Sequence, residues 1–384
     1  MMLGYLLARA GIEVVVLEKW PDFFRDFRGD TIHPSSLQVL SELGLLDEFL
    51  KLPHDKTTRV EAQIGGVPVT IADFSWLNIR TPYIAFTPQW HFLNFLAQAG
   101  RAYPQFQLLM ETEVVDLLWE DGYVKGVKAK SKGVEREIRA EIVVGADGRH
   151  STVREKANLP VENVGAPIDV LWFRLSKHAD DPKQLFALMD HGKLLVMVDR
   201  GDYWQCAFEI VKGGFEQIKK NGLENFRQAI TSLAPFTKDR VDEIIDWDQV
   251  KLLSVTVDHL RTWHQPGLIC IGDAAHAMSP VGGVGINLAI QDAVAAANVL
   301  IPAFREGFPT QAHFAHIQKR REFPARMTQR FQVLIQDKVL IPYLNSKERA
   351  TVPWVLRLFN WLPFLRWFPA RFFGLGFRSE HVKY

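Results

Sequence analysis

The chain is short of cysteine, of net charge and of long uncharged runs, and each shortage narrows what it can be. Only Cys206 and Cys270 occur in 384 residues, far apart and without metal-ligand spacing. That argues against a dithiol redox enzyme and predicts two buried, reduced thiols in a cytosolic protein. The formal net charge is +1, so no global field recruits nucleic acid or an acidic partner. The first ten residues include Arg9 and hold no apolar core of leader length, and a cytoplasmic location is expected. What is present, 47% hydrophobic and 23% charged residues, is the composition of a globular protein with room for two or three domains.

A further absence concerns the opening "MMLGYLLARAGIEVVVLEKW". It reads as a helix from Met1 to Ala10, a C-capping Gly11 and a buried parallel strand ending on Glu18. In a dinucleotide βαβ unit such a helix follows a strand and a glycine-rich loop, and neither stands before it in this sequence. Next, "PSSLQVLSELGLLDEFLKL" reads as one helix with Ser35 and Gln38 as a capping box, and "TPQWHFLNFLAQAGRA" as another. Residues 57–86 and 164–263 are dominated by strands and turns, whereas 1–56, 87–163 and 264–308 alternate strands, small-residue loops and helices. The architecture expected is α/β: a discontinuous nucleotide-binding domain of those three pieces, a β-rich domain inserted into it, and a helical, aromatic-rich segment over 309–384.

Three places can hold chemistry. Glu18, at a strand end, suits the hydroxyls of an adenosine ribose, or is an ordinary exposed acid. The run "VVGADGRHSTVR" delivers small residues into a tight turn. There Asp147 either organises the turn or meets a cofactor hydroxyl, and Arg149 and Arg154 lie near any phosphates. The run "CIGDAAHAMSPVGGVGINLAIQDA" is the most informative. A strand ends at Gly272 and Asp273, a loop of Pro280, Gly282, Gly283 and Gly285 follows, and a helix from about Ile286 points its first N–H groups into that loop. Asp292, inside the helix, pairs or caps.

Together these runs resemble the flavoprotein monooxygenases of the para-hydroxybenzoate hydroxylase type, over nearly the whole chain except its end. The resemblance implies a Rossmann-like FAD-binding domain, here without its first strand and glycine-rich loop, an inserted β-sheet substrate domain and a helical C-terminal segment. It implies FAD as cofactor, NADPH or NADH as electron donor, and O2 and a small aromatic or hydrophobic molecule as substrates. It places Glu18 at the ADP half of FAD, and Asp147 and Gly148 at FAD and the passing nicotinamide nucleotide. Asp273 falls at the ribityl or pyrophosphate part. Pro280 falls beside the flavin face, and the backbone of Gly285, Ile286 and Asn287 at the pyrimidine side of the ring. Arg28 in "FRGDTIHPSS" and Gln89 in "TPQWHFLNFL" would approach FAD, and the Val115 backbone would meet the adenine. The implied reaction is attack on an electron-rich carbon by a flavin C4a-hydroperoxide. The Trp-x-Trp-x-Ile-Pro signature of halogenases on this fold is absent. No acid–base residue stands out; Arg174, Trp204 and Lys212 are candidates for lining the substrate site. Without the glycine-rich loop, the sequence is expected to be a truncated form of a longer protein that binds FAD weakly or not at all as it stands.

The tail "PWVLRLFNWLPFLRWFPARFFGLGFRSEHV" is apolar on nearly all sides, carries Arg357, Arg366, Arg371 and Arg378, and has no acid before Glu380. It suits peripheral membrane contact over residues 353–378, a lid over an apolar substrate, a cap on the nucleotide-binding domain, or a homodimer contact. Two other functions compete with hydroxylation: a reductase or dehydrogenase of the same fold acting on a prenyl or polyene chain, and a flavin-free binding protein.

Overall fold

The computed structural model describes residues 1–24, 31–182 and 187–384. The opening helix spans Met2–Arg9 and buries Leu3, Tyr5, Leu6 and Leu7. It ends in a Schellman turn: Gly11, at φ +84°, donates to Ala8, and Ile12 donates to Leu7. Gly4 is small because the strand below is close; a Cβ there would lie 2.6 Å from Val16.

Two parallel ladders lie under this helix. Val14–Leu17 pairs with Phe106–Leu109, and Val143–Gly145 pairs with Leu268–Cys270. They are separate sheets among the described residues, yet Val14, Val144 and Ile269 share one core. Leu17, Val143 and Cys270 share another cluster, so the carboxyl ends of three strands converge. Ligands of open α/β sheets bind at such ends. The long helix Gly285–Glu306 packs on the opening helix and on Gln311–Ile335. It is the one described helix apolar and long enough to cross a membrane, but 72% of its apolar window is buried. It is therefore a core helix here.

The second body is a seven-stranded sheet. Its order is Lys251–Ser254, Ile168–Ser176, Tyr203–Val211, Lys193–Asp199, Ala187–Asp190, Arg59–Ile64 and Val67–Asp73. Strand alternation gives it two faces. Trp204, Cys206, Phe208 and Ile210 pack under Leu223–Leu233, with Phe226 and Ile230. Ala207 belongs to the opposite face, with Val170, Val255, Val257 and Val333. On that same side Ile168, Leu194 and Leu340 form a cluster against which Val281 packs, which brings the sheet onto the Pro280–Gly283 loop.

Three local expectations change. The helix expected over 35–52 breaks at Gly44, φ +73°, into Pro34–Glu42 and Leu46–Phe49. Its N-cap is His33, and no side chain caps it. The run expected as one strand from Phe106 turns at Glu111, φ +50°, before Thr112–Glu120. Both cysteines are free and buried, and burial pushes the thiols up, Cys270 to about 12.

The tail folds back on the body. Helix Trp367–Leu375 packs on the Val67–Asp73 strand, and Gly374 fits there because a Cβ would lie 3.1 Å from Phe74. The last residues then cross the nucleotide-binding body: Arg320 Nε donates to Glu380 at 2.7 Å, Asn298 Nδ2 to the His381 carbonyl at 2.8 Å, and Arg9 Nη1 to the Tyr384 carbonyl at 2.8 Å.

Candidate cofactor and substrate site

Glu18 extends the first ladder, donating from its N–H to Leu109 and accepting at its carbonyl from Thr112. Its carboxylate accepts from the Trp20 N–H at 3.1 Å. The same charge acts on the Met1 amino group, although burial dominates there and lowers that group's pKa. Arg28 lies outside the described residues. Gln89 is the first residue of the helix Gln89–Gly100 and is half-buried. Val115 is the extra residue of a β-bulge, because its neighbours Val114 and Asp116 pair with the adjacent residues Ala129 and Lys128. A bulge leaves one peptide out of the ladder, which suits a backbone contact with a ligand.

At the Asp-Gly turn, Asp147 serves the protein first. It accepts from Ser151 Oγ at 2.5 Å and from the Val153 N–H at 3.1 Å, holding the start of the short helix Thr152–Lys156. Gly148 follows at φ +86°, where a side chain is strained. The two arginines separate. Arg154 is structural, donating to Asp258 at 3.1 Å and to the Arg149 carbonyl. Arg149 lies 3.8 Å from Asp273, and its Nη1 is enclosed with no partner among the described residues.

The third run gives the site its floor. Gly272 turns at φ +60° into Asp273. Gly285 stands close by, since a Cβ on it would lie 3.9 Å from Asp273 Oδ1. Pro280 begins the turn Val281–Gly283, in which Gly282 and Gly283 have φ of +80° and +62°. A Cβ on Gly282 would lie 2.4 Å from the Phe373 ring, and one on Gly283 would lie 2.5 Å from Thr31 Oγ1. The tail helix thus rests directly on the glycine loop. Gly285 and Ile286 open the long helix, whose first N–H groups have no acceptor within the helix. The Asn287 side chain is committed inward. Its Oδ1 accepts from the His33 N–H at 2.9 Å and Ser36 Oγ at 2.7 Å, and its Nδ2 donates to the Thr31 carbonyl at 3.0 Å.

Beneath the loop, Asp292 is fully buried and fully met. It accepts from the Gly272 N–H at 3.0 Å, pairs with His276 Nε2 at 2.5 Å and accepts from Arg321 Nε at 2.8 Å. Burial pushes its carboxyl up, but His276 and Arg321 outweigh that and hold it below its usual range. Beside it, His33 Nδ1 lies 2.7 Å from the Phe373 carbonyl, so Nδ1 carries the proton and the enclosed Nε2 is bare. Burial lowers the pKa of His33 to about 4. Nothing in the sequence pattern marked His33; its position one residue before a proline-initiated helix is the only signal.

The family described as "FAD binding domain" matches residues 1–331. The chain belongs to this FAD-binding family of flavoprotein monooxygenases. The 6-methylpretetramide 4-monooxygenase of Streptomyces rimosus is 31% identical over 88% of this chain and 81% of that protein. The para-nitrophenol 4-monooxygenase of Pseudomonas sp. (strain WBC-3) is 24% identical over 79% and 76%. Among solved structures, the OxyS anhydrotetracycline hydroxylase of Streptomyces rimosus superimposes with a TM-score of 0.76 at 20% identity, covering all of this chain and 75% of its own. The monooxygenase is thus an FAD-dependent oxidoreductase of the aromatic-hydroxylase class, with NAD(P)H the usual electron donor in its family.

The residues present fit the cofactor. Arg149 Nη1 is a buried cationic donor without a partner, as a phosphate neighbour should be. Asp273 beside it offers a carboxylate of the kind that accepts from a hydroxyl, and Gly285 adds no side chain at the helix start. The three candidates for lining a substrate site fall in different places. Trp204 lies on the far face of the sheet, where its Nε1 donates to Asp181 at 2.7 Å. Lys212 is held at the sheet end by Asp169 at 3.1 Å and the Val255 carbonyl at 2.7 Å. Arg174 is exposed and stacks over Tyr203 at 4.8 Å; its register with Gln205 puts it on the loop-facing side.

Proposed function

We propose that this monooxygenase uses NAD(P)H and O2 to hydroxylate an aromatic or quinone-precursor substrate held between the Pro280–Gly283 loop and the inner face of the seven-stranded sheet. The observation that carries the reading is the cluster of Ile168, Leu194 and Leu340 on which Val281 packs, which sets that face against the loop. Bound flavin supplies hydride acceptance and oxygen activation. Arg149 binds and orients the phosphates, Asp273 a sugar or ribityl hydroxyl, and the start of the Gly285–Glu306 helix stabilises negative charge on the ring. Phe373 seals the loop from the solvent side, which keeps water from the reacting centre. The two relatives above are 4-monooxygenases, and a third, from Escherichia coli (strain K12), is a 3-demethoxyubiquinol 3-hydroxylase, in keeping with this reading. The test is a panel of phenols and hydroquinones with the FAD-reconstituted protein. One should accelerate NAD(P)H oxidation and yield product labelled from heavy oxygen gas. Unlabelled product with a saturated double bond would favour the reductase reading, and silence across the panel would count against hydroxylation of phenols.

The tail supports a second proposal, peripheral contact with an anionic membrane surface. Trp354 is 75% and Trp361 80% exposed, and Phe364 and Phe368 are also exposed. Arg357 and Arg371 stand among them, and no acid lies between Glu348 and Glu380. Exposed aromatics with arginines fit an interface of acyl chains and anionic headgroups. Deleting the tail would also remove Glu380 from Arg320, so point changes are the cleaner probe. Trp354→Ser with Trp361→Ser should abolish sedimentation with phosphatidylglycerol vesicles; equal sedimentation of both forms would end the idea.

A further inference from the structure

The inner face of the sheet carries one acid. Glu209 sits in the strand Tyr203–Val211, between Phe208 and Ile210, which point to the far face. Its register partners are Val170 on one side and Leu194 on the other. Leu194 belongs, with Ile168 and Leu340, to the cluster on which Val281 packs. Glu209 is therefore one strand spacing, about 5 Å, from a member of the cluster where sheet and glycine loop meet. It is partly buried, and its Oε2 is enclosed without a partner among the described residues.

Two more acceptors border the same contact. Gln332 donates from Nε2 to the Ser279 carbonyl at 2.9 Å and the Val281 carbonyl at 2.8 Å, and Gln336 donates to Ser279 Oγ at 2.6 Å. Both amides are buried, and both Oε1 atoms lack a donor. Three enclosed oxygens without a donor are unusual in a folded protein. They ask for a ligand that brings O–H groups.

We propose that Glu209 takes the proton of a phenolic hydroxyl of the substrate and holds the phenolate beside Val281. This rests on the hydroxylase reading above. The O–H bond breaks, the proton passes to the carboxylate, and the electron pair stays on the phenolate oxygen, enriching the ring that receives oxygen. The proton returns to the product oxygen and leaves Glu209 ionised. Burial raises the carboxyl to about 7, which suits a base working near neutrality. Nothing charged among the described residues faces it from the packed elements. Val170 and Leu194 flank it, Ala207 precedes it on its face, and the covering helix brings Val333. The titratable Tyr343 packs in the cluster of Leu194, but its hydroxyl is committed to the Lys193 carbonyl at 2.8 Å.

The test compares wild type, Glu209→Gln and Glu209→Asp as FAD-loaded enzymes across pH. With the best phenol of the panel, Glu209→Gln should lose about 100-fold in hydroxylation rate at pH below the phenol's own pKa. The deficit should shrink as the free phenol ionises, and Glu209→Asp should recover part of it. A deficit constant with pH, or none, overturns the assignment. A second arm needs no turnover and uses 4-nitrophenol as a binding probe. Wild type should bind it with its yellow phenolate band enhanced, and Glu209→Gln should bind it as the colourless phenol. Equal spectra, or no binding, count against Glu209. If no phenol is hydroxylated yet the spectra differ as stated, the hydroxylase reading fails and the phenol site stands.

Discussion

Asp292 and Glu209 are both carboxyl groups withdrawn from water, one on the buried side of the long helix and one on the inner sheet face. Asp292 is met by a backbone N–H, a histidine and an arginine, and its pKa falls. Glu209 meets none of these, and its pKa rises. The first arrangement uses up the acid in holding helices together. The second leaves an acid whose charge costs free energy until something arrives to satisfy it. The two regions show how a protein separates structural from ligand-facing charge: by who supplies the donors.

The largest expected effect is on the Asp292 side. Asp292→Ala strands His276 and Arg321 in the core and should cost about 3–5 kcal/mol, read from urea unfolding. Because the folded-state pKa is depressed, this stabilisation is present above the unfolded value, near 3.9, and is lost as pH falls through the lower folded value. Acid unfolding of wild type should accordingly be steeper than that of the variant. An intermediate effect is expected at Arg149, whose unpartnered nitrogen resembles Glu209 in awaiting a ligand. Arg149→Ala should weaken FAD binding about tenfold or more, measured by flavin fluorescence on titration, with little change in the melting temperature of the flavin-free protein. A large drop in that melting temperature would place Arg149 with Asp292 instead. At Glu209 the expected change in stability has the opposite sign to that at Asp292. Its folded pKa is raised, so wild type loses stability as pH rises from the ordinary carboxylate range through about 7. Glu209→Gln should melt with wild type at pH 5 and above it at pH 8. The opposite order would erase the contrast between the two acids.

The strand ends were legible because small residues before an acid leave a local signature, as at Gly145–Asp147 and Gly272–Asp273. Their division of labour was not. Arg149 and Arg154 are five residues apart in one run, and only the fold shows that Asp258, 104 positions away, claims Arg154. Trp204 and Gln205 are adjacent, and which one faces the loop depends on register, which no local pattern fixes. Glu209 did leave a trace, a single acid in the apolar run "CAFEIV", but its meaning needed the cluster that joins Leu194 and Val281. The tail read as unusual from composition alone. Its return path depends on Glu380 meeting Arg320 and Arg321, partners about 60 residues upstream.

The strap that joins Tyr384 to Arg9 also sets a clock. The two residues are 375 positions apart, and at about 5–20 residues per second a ribosome needs roughly 20–75 s to travel between them. For that interval the opening helix exists without its last contact, and the nascent chain must keep its apolar face out of trouble by other means. Final closure of the nucleotide-binding body waits until Tyr384 has been made, so a bulky label at Tyr384 would act on folding before it acted on chemistry.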